Sequence, residues 1–256
     1  MIRDRLIALA RAWLPPEMRE WVVARQRRYR LQWPRRGSVD FGSFRRLTPI
    51  SPIFAYDRGH PIERYYIERF LAAHAGDIRG HVLEIGDDRY TRAFGQGRVT
   101  KTDVLHVVPG TPGATIIADL TRADEIPADR FDCIIATQVL QMIYDIHAAV
   151  RHLHRILKPG GVLLVTSHGM TKIGRREGVD DWGEYWHLTT QGARRILGEV
   201  FPAAQLEVTS LGNVLSAVSV LNGLAVEELS PEEIDHRDPD YEVIVGARAV
   251  KLRSGA

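Results

Sequence analysis

The chain has 256 residues, 45% hydrophobic and 26% charged, with a formal net charge of +2. That is globular composition with room for one sizeable core, which excludes a disordered chain, and the small net charge gives no argument for nucleic acid. The single cysteine, Cys133, excludes an intrachain disulfide and a cysteine-rich zinc site, and it fits a reducing cytoplasm.

The first 46 residues stand apart, with twelve arginines against four acidic residues. Within them, residues 2–14 read as an amphipathic helix, with Ile2, Leu6, Leu9 and Trp13 on one stripe, ended by Pro15-Pro16. A second basic helix is expected over Glu17–Leu31. Asp4 and Arg11 interrupt the apolar stretch, so it makes a poor signal peptide. Pro34, Gly37 and Thr48–Pro52 read as loop. The expected division is therefore a basic helical extension over 1–46 and one domain over 47–256.

From Ile62 the pattern alternates. Ile62–Ala73 has helical spacing. Short apolar strands are expected at His81–Ile85, Arg98–Asp103, Ala114–Ala118, Phe131–Ala136 and Val162–Thr166. A helix over Ile146–Leu157 has Asp145 as its N-cap and Lys158-Pro159-Gly160-Gly161 as its stop. A helix at Gly192–Val200, a strand at Gln205–Thr209, a helix-like Leu215–Glu228 and a last strand at Tyr241–Lys251 complete the chain. Such alternation predicts an α/β fold, a mostly parallel sheet covered by helices on both faces, with ligands bound beyond the carboxyl ends of the strands. The longest apolar-rich run, Val214–Val226, is too short for a bilayer, which needs roughly 20 residues.

A spaced set of residues carries the chemistry. Val82-Leu83-Glu84-Ile85-Gly86 runs an apolar strand into an acid and a glycine, which lets a ligand approach the main chain. Asp103, with Val104 beside it, follows Glu84 by nineteen positions and suits the two hydroxyls of a ribose. Asp119 after the third strand suits an adenine amino group, with Leu120 packing the ring. Then come Phe131-Asp132-Cys133-Ile134-Ile135, Thr137-Gln138-Val139-Leu140 and Leu157-Lys158-Pro159-Gly160-Gly161-Val162.

In order and spacing these stretches resemble the class I S-adenosylmethionine-dependent methyltransferases, in particular their small-molecule branch, over about residues 80–166. The resemblance implies a Rossmann-like seven-stranded sheet whose last strand is antiparallel, and S-adenosyl-L-methionine as cofactor. It places Glu84 and Gly86 at the cofactor's amino-acid portion, Asp103 and Val104 at the ribose, Asp119 and Leu120 at the adenine and Thr137 under the methionine moiety. Two departures stand out. The family loop carries two or three glycines, whereas Asp87-Asp88-Arg89-Tyr90 follow Gly86 here, and Met142 stands near the place of a histidine common after the fourth strand. Asp88 beside a cofactor carboxylate must turn away or pair with arginine. The wider chain looks like uncharacterised bacterial methyltransferases found among glycan and natural-product genes. Arg58 or Arg64 suits the methionine carboxylate, and Tyr65 or Tyr66 suits packing on the cofactor.

The acceptor side is expected in the segment Ser167–Thr190, which carries His168, Asp180, Asp181, Trp182, Glu184, Tyr185, Trp186 and His187. His187 and His168 are the base candidates by intrinsic pKa, and Glu184 is a further one. The plainer alternatives are that His187 caps the next helix and Trp186 is core. Asp180-Asp181 lack a third ligand, so no metal site is expected. The favoured function is methyl transfer to an oxygen of a small polar acceptor, a sugar or natural-product hydroxyl or carboxylate. The alternatives are a peptide or nitrogen acceptor and a non-catalytic binding protein that keeps the fold. Nucleic acid is disfavoured, since no Asn/Asp-Pro-Pro-aromatic motif follows the fourth strand. The basic arm suits packing on the domain or on a second subunit, with peripheral contact with an anionic inner membrane surface or binding of nucleic acid as the alternatives.

Overall fold

The computed structural model describes residues 37–174 and 183–253, and positions 15, 17, 18, 20, 21 and 34. The chain divides into two compact units, Met1–Leu47 and Thr48–Ala256. The helices expected over 2–14 and 17–31 fall largely outside the described residues, as do Asp180, Asp181 and Trp182. Among its described residues the first unit is helical at Glu17, Met18, Glu20 and Trp21, within the second expected helix, and forms a 3-10 turn at Gly42–Phe44.

The second unit is built on a seven-stranded sheet of β1 (Gly80–Ile85), β2 (Val99–His106), β3 (Ile116–Ile117), β4 (Phe131–Thr137), β5 (Leu157–His168), β6 (Leu206–Leu211) and β7 (Ile244–Val250). Its order is β3-β2-β1-β4-β5-β7-β6. Neighbours pair in parallel from β3 to β5, and β7 is antiparallel to both β5 and β6. This is the Rossmann-like methyltransferase architecture, with the last strand reversed.

Strand alternation sorts the core into two layers. On one face Leu83, Ile134, Leu163 and Val245 pack with Leu153 and Ile156 of α3 (Ile146–Ile156) and Leu197 of α4 (Thr190–Leu197). On the other, Val82, Ile135 and Leu164 pack with Phe70 of α1 (Ile62–Ala73) and Val220 of α5 (Val214–Asn222). Each fully buried aliphatic side chain contributes about 1.5–3 kcal/mol, so both layers are needed to hold the sheet.

The caps are local and legible. The Asp145 carboxylate accepts from Ala148 N at 2.9 Å, and Thr189 accepts from Gly192 N at 3.1 Å. Thr189, not His187, therefore caps α4. Asn213 caps α5 through a reciprocal box with Ser216 and ties that helix to Glu233 and His236 carbonyls. The helix expected to run to Glu228 stops at Gly223, whose φ of 69° closes it.

Two boundaries move with consequences. β2 extends to His106, three residues beyond the expected end, because it follows β1 residue by residue: Leu83 faces Asp103 and Ile85 faces Leu105. Asp103 is thereby mid-strand. β5 reaches His168, which brings that imidazole to the carboxyl edge.

Candidate active site

β1 has β2 on one side and β4 on the other, so strand order switches at its carboxyl end. A cleft of about 760 Å³ opens there, lined by Glu84, Gly86, Thr137, Gln138 and His168 from the strand ends and by Glu63, Arg64 and Glu184 from neighbouring segments.

The turn after β1 is built by Glu84. Its buried carboxylate accepts from Tyr90 N at 3.0 Å and Thr91 N at 2.7 Å, in the first turn of α2 (Arg89–Gly95). Burial pushes the Glu84 carboxyl above its usual range, against the lowering effect of these N–H groups. Gly86 has φ of 102° and nothing within 4 Å of where a Cβ would stand, so bare backbone faces the cleft. The acids after it turn to arginines: Asp87 to Arg89 at 3.4 Å and Asp88 to Arg92 at 2.8 Å. Arg64, on α1, donates to the Tyr56 hydroxyl at 2.8 Å, while its Nε is buried without a partner. A bare backbone cradle beside a guanidinium with a spare N–H fits the carboxylate end of the expected cofactor.

Several expected binding residues lie elsewhere. Asp103 is buried mid-strand, where its carboxylate takes His81 Nε2 at 2.8 Å, Arg130 at 2.7 Å and Thr115 Oγ1 at 3.0 Å. Burial opposes its ionisation, but these three donors outweigh that and hold the carboxyl below its usual range. Val104 is buried in the sheet, and Leu120 is core. Asp119 folds onto its own turn, accepting from Thr121 N and Oγ1 and pairing with Arg122. Arg58 pairs with Glu228, away from the cleft wall. Tyr66 sits in the second core layer and donates its hydroxyl to the Ile234 carbonyl. The structure does not bring these six to the cleft: the strand register turned Asp103 inward, Val104 and Leu120 are packed in the interior, and nearer partners took Asp119, Arg58 and Tyr66.

The expected acceptor residues do converge. The Glu184 side chain is 1% exposed, with Oε1 2.7 Å from His168 Nδ1 and 3.2 Å from His187 Nε2, and with Oε2 accepting from Gly174 N. Burial opposes its ionisation, yet the His168 and Gly174 N–H groups and the imidazoles hold its carboxyl below the usual range. The segment is pinned by the Gln141 carbonyl, which accepts from Tyr185 N and Trp186 N, and by Leu188 N donating to the His168 carbonyl. His187 Nδ1 donates to Gly169 O at 2.9 Å. Gly169 has to be glycine, because a Cβ there would stand 2.0 Å from the Glu242 carbonyl oxygen. Trp186 packs against the core and donates to the Ile143 carbonyl.

Glu63 joins from α1, its Oε1 3.3 Å from His168 Nε2. Sequence reasoning missed it. The only signal was a carboxylate in the first turn of an otherwise apolar-faced helix. Gln138, with φ of 55° at the end of β4, was also passed over as a cleft residue.

The sequence model of a family described as a methyltransferase domain matches residues 57–210, more than half of the chain. No curated protein matches the sequence. Among solved structures, the chain is similar to the (4+2)-cyclase SpnF at 16% identity and a TM-score of 0.50, over 77% of this chain and 85% of that one. It is also similar to the N-methyltransferase NodS from Bradyrhizobium japonicum in complex with S-adenosyl-L-homocysteine, at 17% identity and a TM-score of 0.48, over 79% and 94%. A third is an S-adenosylmethionine-dependent methyltransferase from Mesorhizobium loti, at 16% identity and a TM-score of 0.49, over 74% and 98%. At such identity the cyclase shows a shared fold and says nothing about the reaction. Membership rests on the family match: the chain belongs to the methyltransferase domain family, with the class I fold and S-adenosylmethionine as cofactor.

Proposed function

We propose that the protein transfers a methyl group from S-adenosylmethionine to an oxygen of a small polar acceptor, with a sugar or natural-product hydroxyl favoured. The observation that supports this reading is the convergence of His168 and His187 on Glu184, with His168 and Glu184 lining the same cleft as Gly86. A hydroxyl has a proton to lose, and a positioned imidazole is suited to take it. A carboxylate acceptor has no such need, so the cluster favours a hydroxyl.

When bound, the donor supplies a methyl carbon on a positively charged sulfur, which leaves as a thioether. The chain's own task is alignment and proton handling. Gly86 leaves room at the backbone, Arg64 offers charge and a spare N–H to a carboxylate, and Thr137 and Gln138 wall the end of β4. Glu184 fixes the orientation of both imidazoles by lying between them.

Calorimetric titration of S-adenosylhomocysteine into wild type and Arg64→Ala tests the donor half. Micromolar binding, weakened about tenfold or more by the substitution, is expected, since a charge-assisted hydrogen bond contributes about 1.5–3 kcal/mol. A folded wild type with no affinity for the ligand would sink the reading. Turnover on a panel of hydroxylated and carboxylated acceptors then tests the acceptor half.

A further inference from the structure

Two imidazoles and two carboxylates meet at the end of β5. Three imidazole nitrogens face carboxylate oxygens: His168 Nδ1 and His187 Nε2 face Glu184 Oε1, and His168 Nε2 faces Glu63 Oε1. The Gly169 carbonyl can only accept, so its contact fixes the His187 proton on Nδ1. Each imidazole, when neutral, offers one ring lone pair to a ligand, and Glu63 Oε1 is buried without a hydrogen-bond partner.

We propose that His168, Glu184 and His187 bind a divalent transition-metal cation, with Glu63 as the carboxylate behind His168. One ligand atom from each of the three lies within 4.8 Å of the others. A cation among His168 Nδ1, His187 Nε2 and Glu184 Oε1 uses both lone pairs. It also moves the His168 proton to Nε2, where Glu63 Oε1 accepts it. Both histidines then have the outer nitrogen held by an oxygen acceptor, Glu63 for one and the Gly169 carbonyl for the other. That is the usual support for metal-bound imidazole, because it sets the tautomer and the ring orientation. Two imidazoles and one carboxylate suit zinc, manganese or iron(II) rather than magnesium or calcium.

The site lies on the wall of the cleft, since His168, Glu184 and Glu63 all line it. Three protein ligands leave coordination positions for water or an acceptor. This deepens the acceptor reading, and rests on it only for what the cation does: hold an acceptor with two adjacent oxygens, a vicinal diol or a hydroxy acid, and lower the pKa of the hydroxyl. The histidines then act as ligands and the hydroxyl proton passes to water, which replaces the imidazole base of the metal-free reading.

The test uses full-length protein freed of metal by chelation. Zinc and manganese ions are titrated calorimetrically into wild type, His187→Ala and Glu63→Gln, and cobalt(II) absorption is recorded on wild type. One equivalent per chain is expected, with visible cobalt bands of nitrogen and oxygen ligation. Affinity should fall at least tenfold in His187→Ala and about tenfold in Glu63→Gln. No binding by folded wild type, or binding that survives both substitutions unchanged, would overturn the site. Because neither readout involves the methyl donor, a failure here is distinct from a failure of the S-adenosylhomocysteine titration.

Discussion

Two histidine–carboxylate clusters sit on the same sheet and behave differently. Around Asp103, His81, Arg130 and Thr115 each aim a donor at one carboxylate, mid-strand and away from the cleft. Around Glu184, two imidazoles share one oxygen, a second carboxylate has an atom without a hydrogen-bond partner, and His168, Glu184 and Glu63 line the cleft at the end of β5. Residue types alone do not separate the two. What separates them is the supply of donors and the position along the strand: a saturated buried cluster stabilises, while an unsaturated one at a carboxyl edge is available to a ligand.

The largest expected effect breaks the comparison if it fails. His168→Asn should lower turnover by about 10²–10⁴-fold while S-adenosylhomocysteine affinity stays within about twofold, whereas His81→Asn should leave turnover nearly unchanged. Equal kinetic losses in steady-state assays of the two variants would erase the distinction.

Next is stability. Asp103→Asn removes the charge that three donors share, and chemical denaturation should show a loss of about 2 kcal/mol. Its affinity for S-adenosylhomocysteine should not move, and a strong loss of affinity would restore Asp103 to the cofactor site.

The same carboxylate sharpens the contrast through pH. Its folded-state pKa lies below the unfolded value of about 3.9, so the stabilisation is full above that value and is lost as pH falls through the folded pKa. The stability gap between wild type and Asp103→Asn should therefore be constant near neutrality and close in acid. Denaturation midpoints across pH 2–7 check this, and a gap that widens in acid would reverse the assignment.

The smallest effect is a control for an ordinary carboxylate. Asp145→Ala removes the cap of α3, which should cost about 1 kcal/mol with no change in donor affinity.

Much of the fold was legible because its signals are local. The spacing of Ile62–Ala73, the cap at Asp145 and the apolar strand cores depend on neighbours within a few residues, and the helices Ile62–Ala73 and Ile146–Ile156 fell where they were expected. The acceptor cluster was half legible. His168 ends the fifth strand and Glu184 and His187 lie in the segment that follows, so chemistry and position along the chain pointed to them. Glu63 was not legible, because it arrives from a helix more than a hundred residues earlier.

The sequence by itself determined the sheet, its helices, the glycine turn after β1 and the family's order of motifs, since each follows from periodicity, capping or backbone freedom within a short stretch. Only the tertiary structure decided which polar groups are spent and which are free. Register turned Asp103 inward, Glu228 took Arg58, the Ile234 carbonyl took Tyr66, and Arg64 was left on the cleft. The physical reason is competition: a buried polar group takes whichever partner packing brings within about 3 Å, and that distance is fixed by elements far apart in the chain.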